Sequence, residues 1–204
     1  MITKSNFIYR NLIISIYFFS VLWANLIIPE YESINWEVLH NQNPWIGWKN
    51  KDGIDWCRAK AILDVPIERV RSIIEDKQNY PNVFERIEKI NIINDEIVYI
   101  ALDMPFPFTS RDYIVKYIES HSEKEFIYSY HSVIHSDVPE TKNYIRLVRS
   151  TGEWKLSQMG DNRTEVIYTW NGELLGDFPD WALDRAWRQQ GVEVFSWLDK
   201  ALKK

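Results

Sequence analysis

The chain has 204 residues, enough for one ordinary domain and short for two. Its composition, 46% hydrophobic and 26% charged with few Gly and Pro, excludes a collagenous or wholly disordered chain. The net charge of −5 without a basic block makes a poor nucleic-acid binder, so no nucleic-acid partner is expected, and the single cysteine, Cys57, forbids an internal disulfide and any cysteine-based zinc site. The unusual number is the aromatic content, 15%, with 10 Trp, 11 Tyr and 9 Phe. Such a load fits either a very dense core or aromatics spent on an apolar ligand cavity.

At the N-terminus, Lys4 and Arg10 precede a run without charge from Asn11 to Pro29. The run is apolar on every helical face (Ile13, Ile16, Phe18, Phe19, Leu22, Trp23), unlike a surface helix with its polar stripe. It reads as a cleaved signal peptide over residues 1–24 or 1–28, or as an uncleaved membrane anchor. Both readings export the remainder, because the bases lie N-terminal to the run. Residues 30–204 contain no low-complexity tract, repeat or Gly/Ser linker, and are read as one domain, expected to be a monomer.

Residues 31–42 (YESINWEVLHNQ) suggest a short helix. Two strands follow, around WIGWKN and IDWCRAKAIL, divided by a turn at Asp52-Gly53. Pro66 then opens a helix whose Ile67, Val70, Ile73 and Ile74 recur at helical spacing and which ends near Asp76. From Ile87 to Trp170 the pattern is of strands: EIVYIALDM, DYIVKYIES, EFIYSYHSV, NYIRLVRS, GEWKLSQM and TEVIYTWN, joined by short polar turns as in an antiparallel meander. A long helix closes the chain, with Pro179 in its first turn and Trp187, Gly191, Val194, Phe195, Leu198, Ala201 and Leu202 on one face. A curved antiparallel sheet has one apolar face to cover, and only this helix is long enough to cover it. The expected class is α+β.

Four segments then carry a family resemblance in the expected order over roughly residues 45–202: KNKDGIDWCR followed by VPIERVRSIIED, MPFPFTSRDYIV at 104–115, NYIRL at 143–147, and GELLGDFPDWALDRAWRQQGVEVFSWLDKAL at the end. In these the chain resembles a START domain, the lipid-transfer module of the steroidogenic acute regulatory protein family, within the wider helix-grip group. The resemblance implies a curved antiparallel sheet wrapped around the long C-terminal helix with an internal cavity. It also implies non-enzymatic binding of one lipid or sterol-like molecule, without cofactor, and transient membrane contact during exchange. Only WCRAKAILD separates the DGI strand from the Pro-containing helix, shorter than the family's usual connection, which implies a shortened hairpin there.

Period-2 alternation puts Val98, Ile100 and Leu102 on one strand face, and Tyr113, Val115 and Tyr117 on one face of the next. The family's facing places both sets inside the cavity, with Tyr144, Arg146 and Val148 of the same parity and Trp187, Val194 and Leu198 of the final helix. An inward Arg146 needs a partner: a ligand head group, a buried acid such as Asp103, or a position at an edge. The resemblance makes the loop at 105–110, with Pro105, Phe106, Pro107 and Phe108, and the C-terminal helix the lid. Arg111 and Asp112 beside it either fix that loop as an ion pair, touch a head group, or anchor the loop to neighbouring backbone. Of the aromatic cage used by the phosphatidylcholine-binding branch, only Tyr113 is matched, the other positions being Ile100 and Ser150. Tyr117 stands where the sterol-binding branch has an Arg.

His131 and His135 lie four apart on an expected strand, but no third ligand is in sight and no metal site is expected. No catalytic motif such as G-x-S-x-G or H-E-x-x-H is present. Trp181, Trp187 and Trp197 are core residues or membrane-touching ones. The alternatives to lipid binding are a polyketide cyclase or aromatase-like enzyme of the same fold group, using Arg146, Tyr113 and Tyr117, and an interaction module whose cavity has collapsed.

Overall fold

A computed structural model describes residues 26–204. The expected signal or anchor segment lies outside the described residues up to residue 25. Among the described residues no helix is long and apolar enough to cross a membrane.

The chain opens with a three-stranded meander, β1 (Glu37–Asn41), β2 (Trp45–Lys51) and β3 (Ile54–Leu63). The turn between β2 and β3 has Asp52 at φ 55° and Gly53 at φ 78°, the left-handed pair that a two-residue hairpin requires. Helix α1 (Ile67–Glu75) buries Val70 and Ile74, and a single turn, α2 (Tyr80–Val83), follows it. Then come β4 (Ile87–Ile92), β5 (Ile97–Leu102), β6 (Ser110–His121), β7 (Glu125–Ser132), β8 (Tyr144–Arg146), β9 (Thr151–Gln158) and β10 (Thr164–Asn171). Helix α3 (Leu183–Leu202) ends the chain. The sheet order is β1-β2-β3-β10-β9-β7-β6-β5-β4, antiparallel throughout that path. Pairing β10 with β3 joins the two ends of the chain and makes one continuous curved sheet, which α3 covers on its concave face.

Three expectations change. The segment 31–42 holds no helix; β1 forms instead, since pairing with β2 satisfies its backbone groups where a short isolated helix is marginal. No shortened hairpin exists before α1, because Ile54–Leu63 is one ten-residue strand hydrogen-bonded to β2 on one side and β10 on the other. NYIRLVRS yields only the three-residue β8, which pairs parallel to β6.

Helix α3 approaches the sheet most closely at Gly191, where a Cβ would lie 2.8 Å from the Ile46 side chain and 3.4 Å from Ala59. Around this contact Trp187, Phe195, Leu198 and Leu202 bury their side chains with Ile46, Val70 and Ile74 in the main core. The outer face of β3 is also covered. Trp56 and Arg58 point away from α3 yet are 1% and 4% exposed. Arg58 donates from Nη2 to the Pro29 carbonyl (2.6 Å), from Nη1 to those of Glu30 and Tyr31 (3.1 and 3.2 Å), and from Nε to Thr169 Oγ1 (2.9 Å). The rings of Trp36 and Tyr31 lie 4.5 and 5.5 Å from its guanidinium carbon. One buried cation thus binds the irregular segment 29–36 to the sheet through that segment's own carbonyls.

Arg58→Ala should free this segment. Hydrogen exchange at residues 30–36 is expected to rise toward the unprotected rate, with a stability loss of about 2–4 kcal/mol in urea titration.

Candidate functional site

Helix α3 turns two rows inward. The first, centred on Trp187, Gly191, Phe195 and Leu198, packs tightly as described. The second, Ala182, Ala186, Gln190 and Val194, recurs every four residues from the turn preceding the helix and carries shorter side chains. It faces a cavity of about 540 Å³. Opposite lie Ile100 and Leu102 of β5, Tyr113 and Tyr117 of β6, Tyr130 of β7, Trp154 of β9, and Tyr168 and Trp170 of β10, with Tyr80 and Phe84 at one end. Aromatic stacking orders this wall: the ring of Tyr168 lies 4.2 Å from Trp154 and 4.7 Å from Trp170.

The wall is polar without being charged. The hydroxyls of Tyr130 and Tyr168 are 2.8 Å apart, and Tyr80 donates to the Ile74 carbonyl. The Tyr113 hydroxyl has no hydrogen-bond partner among the described residues. Burial pushes the phenols of Tyr113, Tyr117 and Tyr168 well above their ordinary range and that of Tyr130 up to about 12, so all stay neutral near pH 7. The charged lining residues lie toward one side. Arg86 binds Glu193 with Nε and Nη2 at 2.6 and 2.8 Å, and Gln189 donates to the same carboxylate at 2.8 Å. Burial alone would raise the pKa of Glu193, but these bonds outweigh it and hold the carboxyl below its usual range. The pair clasps α3 to the chain just before β4.

Two loops close the end near the start of α3. Arg111, fully buried, donates to the carbonyls of Leu174 (2.9 Å), Leu175 (2.8 Å) and Thr109, and to Asp177 (2.9 Å). Asp177 accepts in turn from the Thr109 backbone and hydroxyl (2.8 and 2.9 Å). Phe108 packs on Phe178 at 4.7 Å. Phe106 and Trp181, one on each side of this junction, are 96% and 85% exposed.

Of the residues expected in the cavity, Ile100, Leu102, Tyr113, Tyr117 and Val194 line it, as do Pro105 and Phe108 of the loop. The cage positions Ile100, Tyr113 and Ser150 also meet there. Val98 and Val115 face the same side but are buried in the core rather than at the cavity wall. Leu198 belongs to the tightly packed row, and so does Trp187, whose indole donates to the Gly172 carbonyl at 2.9 Å and lies 5.3 Å from Trp48. Phe106 and Pro107 face solvent.

Tyr144, Arg146 and Val148 are the clear correction. β8 pairs with β6 in the register Ser110↔Tyr144 and Asp112↔Arg146. Tyr113 and Tyr117 point inward, so Asp112, and Arg146 beside it, point outward; a one-residue difference in parity reverses every side chain. Arg146 binds Asp112 with two bonds of 2.8 Å on the outer face, which holds its guanidinium pKa above the usual range. Tyr144 packs with Tyr99, Ala101 and Ile114 in a second small core there, and Val148 sits in the turn after β8. Arg111 and Asp112 therefore form no ion pair with each other: the first anchors loop backbone and the second neutralises Arg146.

Sequence reasoning missed Tyr130, Trp154, Tyr168 and Trp170, although the alternation in β9 and β10 carries the signal. It missed the Arg86–Glu193 clasp for want of any signal, the two residues being 107 positions apart. His131 lies in β7 and His135 in the loop beyond, and no group of three metal-ligating side chains occurs among the described residues.

An antiparallel sheet that grips a long C-terminal helix around an internal cavity defines the helix-grip class of α+β domains. Within it, the START domain model matches residues 22–204, and the chain belongs to that family. An uncharacterized protein of Pseudomonas aeruginosa is 32% identical over 87 residues, which span 43% of this chain and 43% of that one. The STAR-related lipid transfer protein of Xanthomonas axonopodis superposes with a TM-score of 0.71 at 16% identity, over 83% of this chain and 99% of that one. Human STARD10 gives 0.76 at 14%, over 89% and 83%. The Zhui aromatase/cyclase of a Streptomyces species gives 0.52 at 16%, over 72% and 92%. At these identities the structural likeness is one of fold.

Two measurements check the site's electrostatics. Arg146→Leu strands the carboxylate of Asp112, which is 1% exposed, and should cost about 3–5 kcal/mol, whereas Arg146→Leu with Asp112→Leu should recover most of it. The Glu193 carboxyl has a depressed folded pKa, so its stabilisation is present above the unfolded value of about 4.3 and is lost as pH falls through the lower folded value. The stability gap between the natural chain and Glu193→Gln should therefore be full at pH 6 and shrink as pH falls below about 4.3.

Proposed function

We propose that this chain binds one hydrophobic molecule in the cavity beneath α3 and carries it without chemical change. The observation that carries this reading is the cavity itself: about 540 Å³, walled mostly by apolar and aromatic side chains and capped by two loops. Its volume falls in the range of about 300–1,000 Å³ typical of small-molecule sites. An apolar ligand moved from water into such a wall gains about 25 cal/mol per Å² of surface it hides, so binding needs no covalent step. The cavity also speaks against the interaction module with a collapsed interior.

The loops 103–110 and 172–182 form the lid in this reading, and exchange requires their junction at Arg111 and Asp177 to part. Phe106 and Trp181 are the groups that touch a membrane while it does, as exposed aromatics suit the bilayer interface. Residues 1–24 serve export, as a cleaved signal or a retained anchor.

The fold likeness to an aromatase/cyclase keeps a second reading in view, with Tyr113 and Tyr117 as acid–base groups. Arg146, its third member, is bound to Asp112 on the other side of the sheet. Phenols pushed upward by burial are also poorly matched to proton transfer near pH 7.

Protein purified under native conditions should carry an extractable lipid by mass spectrometry. Once delipidated it should take up a fluorescent lipid, and Ile100→Trp, which fills the cavity, should abolish uptake without changing the far-UV circular dichroism. A delipidated chain that takes up nothing from a broad lipid panel would overturn the reading.

A further inference from the structure

The cavity wall discriminates among hydrophobic ligands by what its polar groups leave open. Three of its five phenols are hydrogen-bonded, and a fourth, Tyr117, lies beside one of them. Tyr130 and Tyr168 bond each other, and Tyr80 is committed to the Ile74 carbonyl, with the Tyr117 hydroxyl beside it. The fifth, on Tyr113, faces the cavity with no protein partner, close to Tyr130 and Tyr80. Trp170 Nε1, in the same wall, is also unpartnered but is sealed from the space. Among the described lining residues, the charged groups are Arg86, Asp103, Glu173, Arg185 and Glu193, and they stand on the loops, at the β4 edge and on α3 rather than among the phenols. A charged head group pushed among the phenols would lose its hydration and meet no counter-charge. A neutral oxygen would meet a free hydroxyl able to donate or accept.

Resting on the cavity-binding reading, we infer that the ligand is a lipid whose uncharged hydroxyl or carbonyl oxygen hydrogen-bonds to Tyr113, rather than one whose charged head group lies among the phenols. The charged pair Arg86 and Glu193 is already satisfied and acts on the position of α3, not on the head group.

Equilibrium dialysis of the delipidated full chain tests this with two alcohol–hydrocarbon pairs, hexadecanol with hexadecane and cholesterol with cholestane, and with dipalmitoyl phosphatidylcholine. The natural chain should retain one alcohol at one molecule per chain and leave phosphatidylcholine behind. Tyr113→Phe, which removes only the hydroxyl, should weaken that alcohol about 3- to 10-fold, the worth of one neutral hydrogen bond, and leave the matching hydrocarbon unchanged. Phosphatidylcholine bound as tightly as either alcohol, or equal weakening of alcohol and hydrocarbon by Tyr113→Phe, overturns the inference while leaving cavity binding intact. Retention of none of the five by a chain that still takes up some other lipid also overturns it, and no uptake of any lipid sinks the cavity reading as well.

Discussion

Helix α3 has to cover the concave face of a ten-stranded sheet with a single twenty-residue rod, and most features of the molecule follow from how it does so. Apolar strands cannot leave that face to water, and a lone helix is narrower than the face it covers. Gly191 lets the rod sink against Ile46 and Ala59, so the row of Trp187, Phe195 and Leu198 packs to full density on β2, β3 and α1. Seating the helix on that side leaves the other side open. There the shorter row of Ala182, Ala186, Gln190 and Val194 stands off from β5, β6, β9 and β10, and the space between them is the cavity. Tight packing on one side and a void on the other have one cause.

Three arginines, Arg58 and Arg111 buried and Arg146 half-buried, then hold what the sheet cannot. Arg58 collects the carbonyls of 29–31 on the outer face, Arg111 those of 109, 174 and 175 at the closed end, and Arg146 binds Asp112 and the Val138 carbonyl under the loop after β7. Each segment is irregular and has carbonyls without ladder partners. A guanidinium, with five donors in a plane, satisfies several at once, which a lysine ammonium on a flexible stem does less well. The same device makes the loop junction at Arg111 separable: its partners lie on loops and on the exposed Asp177, not in the core.

Much of this was legible beforehand. The strand pattern in β5, β6, β7, β9 and β10, the helix behind Pro66 and the apolar face of α3 are local periodicities, and burial enforces them. The four matched segments carried the topology. Arg146 was misplaced because parity was counted from the sequence, while β8 is a short parallel partner of β6 whose register alone decides which side it faces. The family's facing puts Trp187 at the cavity with Val194, but the two share one apolar stripe, and only packing decides which edge of it is closed and which is open. The expected helix at 31–42 failed because an edge strand's stability comes from a neighbour that local propensity does not see.

By itself, then, the sequence determined the elements, their class, their family and the set of aromatics available to wall a cavity, because these depend on residue spacing within one element. The tertiary structure alone decided which aromatics face the void, that Arg86 meets Glu193, that Arg146 turns outward, and that Tyr113 keeps a free hydroxyl. These depend on register and on pairs far apart in the chain, and only the folded backbone brings such groups within hydrogen-bond distance.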